Sequence, residues 1–321
     1  MIFLLLGLGT VISAVASLLI GAGDVGLAGY LELLNGTADS ETQIVIGMRV
    51  TRTLGGIAVG AALAIAGSVL QIVTRNPLAD PGILGVNAAS GLAVLIGYNI
   101  FALTSATAIG IFAAIGAGLG VLLLSALNLR HQGNPVTLTL SGIAIAAVIS
   151  TLSTFILLTN PDNLTVYKNW SLGNLEGLSS DRLIVGGLMV LIGTGIATAL
   201  IQGLKVLELG TTQAGSLGLS VTKFFIPVGA AVALTAGGAS AIAGPIIFVG
   251  LAAPHIARLL VGHSVGRLLL GSALVGPVLV LLSDTLARIL HESSELPLSV
   301  VLALFGAPVL LLLLGRVGWA K

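Results

Sequence analysis

The chain has 321 residues, of which 56% are apolar and only 8% charged, against roughly 25% charged in a soluble domain, so it reads as a membrane protein. With 13 Lys and Arg against 12 Asp and Glu it offers no basic surface for nucleic acid. The absence of Cys excludes a disulfide framework, a thiolate metal site and a Cys nucleophile.

Residues 2–20 lack a basic leading region and are long enough to cross a bilayer. They read as a first span rather than a signal peptide. Further apolar runs of about the ~20 residues a span needs lie at 54–74, 83–103, 106–127, 136–158, 183–202, 224–243, 245–261, 268–290 and 297–315, making ten. The eighth is short and holds Pro254. The fold class expected is an all-α polytopic membrane protein, one transmembrane domain over 1–321. Gly56/Gly60 and Gly116/Gly120 are small-residue pairs of the kind that let helix backbones approach.

Orientation follows from the basic residues. With the N-terminus inside, the inner loops hold Arg75, Arg130, Lys205, Lys223, Arg258, Arg267, Arg316 and Lys321, eight in all. The outer side holds Arg49, Arg52, Lys168, Arg182 and Arg288, five in all. Both termini are then cytoplasmic, and the long outer segments are 21–53, 159–182 and 291–296. The second carries Tyr167 and Trp170, residue types that favour headgroup depth.

Between 49 and 91 the chain runs from Arg49 and Arg52, which share a helix face, through a Gly-rich span to Asn76-Pro-Leu-Ala-Asp-Pro-Gly82. Pro77 and Pro81 stop the helix, and the freed backbone groups must be buried in protein or line an aqueous path. The fifth span is rich in Ser and Thr, whose hydroxyls bond helix carbonyls or line a wet path. The most extended polar interruption is 205–223, read as two short surface helices split at Gly215–Gly218. Spans two to five and seven to ten echo one another in opposite topology, each broken at Pro and Gly, a pattern of transporters.

Several blocks in order carry a family resemblance. They are Arg49 to Asn87, Trp170-Ser-Leu-Gly173, Ala214-Gly-Ser-Leu-Gly218, Gly244-Pro-Ile-Ile-Phe-Val-Gly-Leu-Ala-Ala-Pro-His-Ile-Ala-Arg258, Asp284 to Arg288, Glu295-Leu-Pro297 and Gly306-Ala-Pro308. Together they resemble the FecCD-type permeases, BtuC-like membrane subunits of type II ABC importers for ferric siderophores, haem and cobalamin. The likeness covers essentially the whole chain; one departure is the missing polar leader before the first span.

The resemblance implies a ferric-siderophore permease of the bacterial inner membrane, with haem or cobalamin as alternatives. Its implied partners are a second permease chain, two ATPase subunits that carry ATP and Mg, a periplasmic binding protein, and membrane lipid. It implies docking of the binding protein at Arg49, Arg52 and Arg288, although Asp284, four residues before Arg288, offers that arginine a partner within the helix. It implies ATPase contact at Leu209, Gly210, Ala214, Gly215, Leu217 and Gly218. The path and its inner gate would include Gln71, Asn76, Pro77, Pro81, Asn87, Asn134, Pro135, Thr137 and Ser141.

None of the four lysines follows a glycine, so there is no P-loop of its own. No paired-carboxylate, Ser-His-Asp or clustered metal arrangement stands out. His255 and Arg258 end the eighth span, where His255 follows Pro254 and could cap a broken helix. His291 to Glu295 lacks the second His of a zinc helix. No catalytic residue, cofactor or metal is therefore expected on this chain. Two rival readings remain. An ion-coupled secondary transporter needs ionisable groups at mid-membrane, whereas Asp284 is the sole acidic residue in a span and lies toward its outer end. A membrane scaffold or receptor would leave the broken spans unused.

Overall fold

The computed structural model describes residues 1–21, 25–82, 84–130, 135–159, 161–290, 296–304, 306 and 308. In chain order the helices are α1 (Ile2–Leu19), α2 (Leu27–Leu34), α3 (Ser40–Thr74), α4 (Val86–Phe101), α5 (Ala106–Arg130), α6 (Pro135–Thr159) and α7 (Pro161–Ser171). They continue with α8 (Ser180–Ala199), α9 (Ile201–Glu208), α10 (Thr211–Ser216), α11 (Val221–Ala243), α12 (Val249–Val261) and α13 (Val265–Leu290).

Seven of these are long and apolar enough to cross a membrane, namely α1, α3, α5, α6, α8, α11 and α13, and α4 and α12 are shorter apolar helices. They correspond to the first nine expected spans. The tenth is helical over 298–304, and most of 297–315 lies outside the described residues.

The axis of the bundle is α3. Its 35 residues extend about 52 Å at 1.5 Å per residue, well beyond a hydrocarbon core of about 30 Å. The second span therefore begins earlier than expected: Asp39 caps α3 by accepting from Thr42 N at 2.9 Å, and Arg49 and Arg52 lie within the helix. Helices α1, α8, α11, α12 and α13 pack around it.

Small residues set this packing. A side chain at Gly60 would meet the backbone of Gly276 and Pro277 on α13, and one at Gly67 would meet the backbone of Gly250 on α12. The expected Gly116/Gly120 pair lies against Ala89 of α4, an ordinary contact within the chain. Outward faces are apolar: α1 and α6 leave most of their surface uncovered, as lipid-facing helices do.

The chain between α11 and α12 is not helical. Residues 244–248 form a bridge that ends on Phe248 at φ 80°. Gly244 is pinned against the Trp170 carbonyl, and Asn174 N donates to Ala243 O at 2.8 Å. Arg182 of α8 donates to Ala241 O (3.2 Å) and Ile242 O (2.6 Å), satisfying carbonyls that α11 leaves open at its C-terminus. The eighth span is thus a half-length helix with an irregular lead, tolerated because protein surrounds it. Pro254 does not end it. His255 is a residue within α12 and caps nothing.

Candidate functional site

At the end of the bundle where α3 begins, two guanidiniums share one carboxylate and a third lies beside them. Asp284, 1% exposed on α13, accepts from Arg52 Nε at 3.1 and 3.0 Å and from Arg52 Nη2 at 2.8 Å. It also pairs with Arg288 at 3.2 Å. Arg288 further donates to Ser17 O, Ile20 O and Ser17 Oγ at 3.1, 2.7 and 3.0 Å. Arg49, only 5% exposed, donates to Leu18 O, Val25 O and Gly21 O at 3.1, 2.7 and 3.2 Å. The sequence places these cations at a mouth. The structure shows that they also lock the chain after α1 onto α3 and α13. Arg49, Arg52, Arg288 and Glu176 line a pocket of ≈ 540 Å³ there.

Trp170, expected beside lipid headgroups, is buried and stacks on Tyr167 with ring centroids 6.1 Å apart. The pair fills the gap over Gly91, beside Val94 and Ala113. Burial raises the Tyr167 hydroxyl above its usual pKa.

At the opposite end lie α9 and α10. The two short helices are split at Gly210, not at Gly215–Gly218 as the sequence suggested. Gly210 has φ 130° and ψ 148°, a conformation open to glycine alone. Gly218, at φ 85°, instead terminates α10. Leu219 N donates to Ala214 O (2.9 Å) and Gly218 N to Gly215 O (3.0 Å), the paired bonds of a Schellman cap.

The six expected contact residues divide by exposure. Leu209 (62%) and Leu217 (64%) are exposed, as are Gly215 and Gly218, while Ala214 (0%) and Gly210 are buried. Arg75 closes α3 in a left-handed conformation and donates to Leu207 O at 3.1 Å, joining α3 to the end of α9.

The described path residues differ in exposure. Gln71 is 3% exposed, between α3 and α12. Asn76 Oδ1 caps its own turn by accepting from Leu78 N at 2.9 Å. Pro77 is exposed, Pro81 buried, and Asn87 half-buried on α4. Thr137 and Ser141 are half-buried on α6. Asn134 and the side chain of Pro135 lie outside the described residues, as do His131 and His291 to Glu295. On α6, Thr151, Ser153 and Thr154 donate to the carbonyls four residues back, so these hydroxyls serve their own helix.

Sequence reasoning missed Arg258. Its Nη2 donates to Gln71 Oε1 at 3.1 Å. A cation placed next to an apolar half-helix was the available signal, since burial demands a partner. Among the described residues no three His, Asp or Glu side chains gather as a metal site.

The fold is thus a bundle of spanning helices around one long axis, with a half-helix inside it, an arginine-lined end and a pair of short helices opposite, tied to α3 through Arg75. The FecCD transport family model matches residues 9–316, and the chain belongs to that family. It is 39% identical to the ferric enterobactin transport system permease protein FepD of Escherichia coli over 95% of this chain and 92% of that protein. It is 35% identical to the Fe(3+)-citrate import system permease protein YfmD of Bacillus subtilis, over 92% and 89% of the two chains. A solved structure assigned to the metal-chelate type of ABC transporter, in an inward-facing conformation, superposes with a TM-score of 0.85 at 28% identity, covering 98% of this chain and 99% of that one.

Proposed function

We propose that the chain is one half of the membrane part of a bacterial importer for a ferric siderophore, driven by separate ATPase subunits. The observation that carries this reading is the α9–α10 pair. Two leucines, Leu209 and Leu217, stand exposed on short polar helices at one end of the bundle. We read these side chains, exposed on short helices outside the spans, as surface that a partner protein covers. The chain has no nucleotide loop, so the energy must enter through such a partner.

In this reading the termini and α9–α10 face the cytoplasm, where the ATPase binds Leu209, Gly215, Leu217 and Gly218, with Ala214 and Gly210 holding the pair in shape. The arginine end faces the periplasm and receives the binding protein. Arg49, Arg52, Arg288 and Glu176 line its pocket, and charged groups at such a mouth steer a partner and set its register more than they add affinity. The chelate passes at the contact with a second permease chain, along α6 and the 76–87 turn. The likeness to the ferric enterobactin permease over nearly the whole chain supports a ferric siderophore as cargo.

The test is reconstitution in proteoliposomes with the ATPase and a ferric-siderophore-loaded binding protein. Uptake that needs ATP and both partners is expected. Uptake driven by an ion gradient without the ATPase would refute the reading.

A further inference from the structure

A polar junction deep in the bundle belongs to neither end. Pro254 has no N–H, so the carbonyl of Gly250, four residues earlier, loses its helical donor. Gln71 Nε2, reaching across from α3, stands in for it. It donates to Gly250 O at 3.3 Å and to Leu251 O at 3.4 Å. The other end of the same amide accepts from Arg258 Nη2 at 3.1 Å. One buried side chain thus completes the broken helix α12 and holds the arginine of its last turn.

That arginine faces the α9–α10 end. The carboxylate of Glu208, the last residue of α9, lies close enough to act on the Arg258 charge. On the other side Arg75, which ends α3, donates to Leu207 O. The final turn of α9 is therefore bonded by α3, and its Glu208 acts at longer range on the Arg258 charge of α12; α3 and α12 are the two helices that Gln71 clasps where their backbones touch at Gly67 and Gly250.

We infer that Gln71 and Arg258 are positioning residues of the transport cycle, a clasp that makes α3 and α12 move as one when α9 is displaced. The inference rests on the reading of α9–α10 as the ATPase contact. A closely packed junction whose polar groups are mutually bonded shifts as a unit rather than yielding gradually. Gln71 would then act as a mechanical link rather than a wall of the path. His255, one turn from Arg258 on α12, has a buried Nε2 with no hydrogen-bond partner among the described residues.

The experiment uses the full transporter in proteoliposomes with radio-iron ferric siderophore on its binding protein. The variants are Gln71→Met and Arg258→Met, which keep chain length but lose the bond, together with the double variant and Glu208→Gln. ATPase retained, ATP hydrolysed and iron taken up are measured separately. Each Met variant is expected to retain the ATPase while iron moved per ATP falls about tenfold, within the range for a coupling interaction. The double variant should lose no more than the worse single one, since both break one link. Glu208→Gln, a surface change, should lower the same ratio with thermal stability unchanged.

Losses that multiply in the double variant, or an unchanged ratio in both Met variants, overturn the clasp. If the Met variants fail to assemble, Glu208→Gln decides, and an unchanged ratio there overturns it. Wild type that retains no ATPase overturns the reading of α9–α10 and the clasp with it. Wild type that transports while its Met variants match it overturns the clasp alone.

Discussion

Replacing Gly67 by alanine sets two effects of opposite sign against each other. In a helix interior Ala is favoured over Gly by about 1 kcal/mol. The new methyl, however, would overlap the backbone carbonyl of Gly250, which has no rotamer to turn away. Helix α12 must retreat until the contact is ordinary. The bonds from Gln71 to Gly250 O and Leu251 O already stand at 3.3 and 3.4 Å, so a retreat of even a few tenths of an ångström breaks both. Two lost bonds cost about 1 kcal/mol each, and forced separation of a packed contact about 1–3 kcal/mol more. The net expectation is a loss of about 2–4 kcal/mol, which lowers the midpoint by roughly 4–16 °C at about 2–4 °C per kcal/mol. Gly118→Ala and Gly187→Ala are the controls, since nothing lies within 4 Å of a side chain at either position. They should be neutral or stabilising by up to about 1 kcal/mol. The assay is the thermal midpoint of the detergent-solubilised chain, followed by fluorescence-detected gel filtration. A Gly67→Ala protein as stable as its Gly118→Ala counterpart would refute the proposed close approach of α3 and α12.

Other expectations follow from the two ends. Leu217→Asp should leave the thermal midpoint unchanged and reduce ATPase co-purification by at least about tenfold, as loss of an interface anchor does. Ala214→Leu should do the reverse in stability, lowering the midpoint because that site has no room. Gly218→Val forces a β-branched residue to φ 85°, a strain of about 1–2 kcal/mol; it should distort the end of α10 and reduce iron moved per ATP, and normal transport would remove the special role of that turn. Asp284→Asn leaves Arg52 and Arg288 without their shared charge. A cost of about 3 kcal/mol is expected, read as a lowered midpoint with ATPase binding retained.

Asp39 gives a pH signature. Its bonds with Thr42 hold its pKa below the ordinary 3.8. A depressed carboxylate stabilises the fold above its unfolded value and loses that contribution as pH falls through the folded one. Amide exchange over the first turn of α3 should therefore quicken as pH drops below 3.8, after correction for the intrinsic rate, and Asp39→Asn should abolish the change.

The spans were legible because lipid leaves a chain little freedom: runs of about 20 apolar residues must be helices, and Pro-Gly breaks must be buried in protein or face water. The family was legible from blocks in order along nearly the whole chain. The absence of a Gly-Lys pair likewise left no P-loop, and the absence of Cys no thiol chemistry. Tertiary structure decided which side chains those breaks expose or enclose. Spacing alone allows Arg52 to face a partner protein, yet it grips Asp284, 232 positions away in the chain. Spacing puts the split of the polar interruption at Gly215–Gly218, whereas the chain turns at Gly210 and uses Gly218 as a cap. Nothing in the stretch around Gln71 shows that its amide meets the Gly250 carbonyl freed by Pro254, a carbonyl 179 positions away in the chain. Local sequence determines where a helix must start, stop or break. Which partner then satisfies the groups left at a break depends on residues brought near by packing, and no short stretch of sequence carries that information.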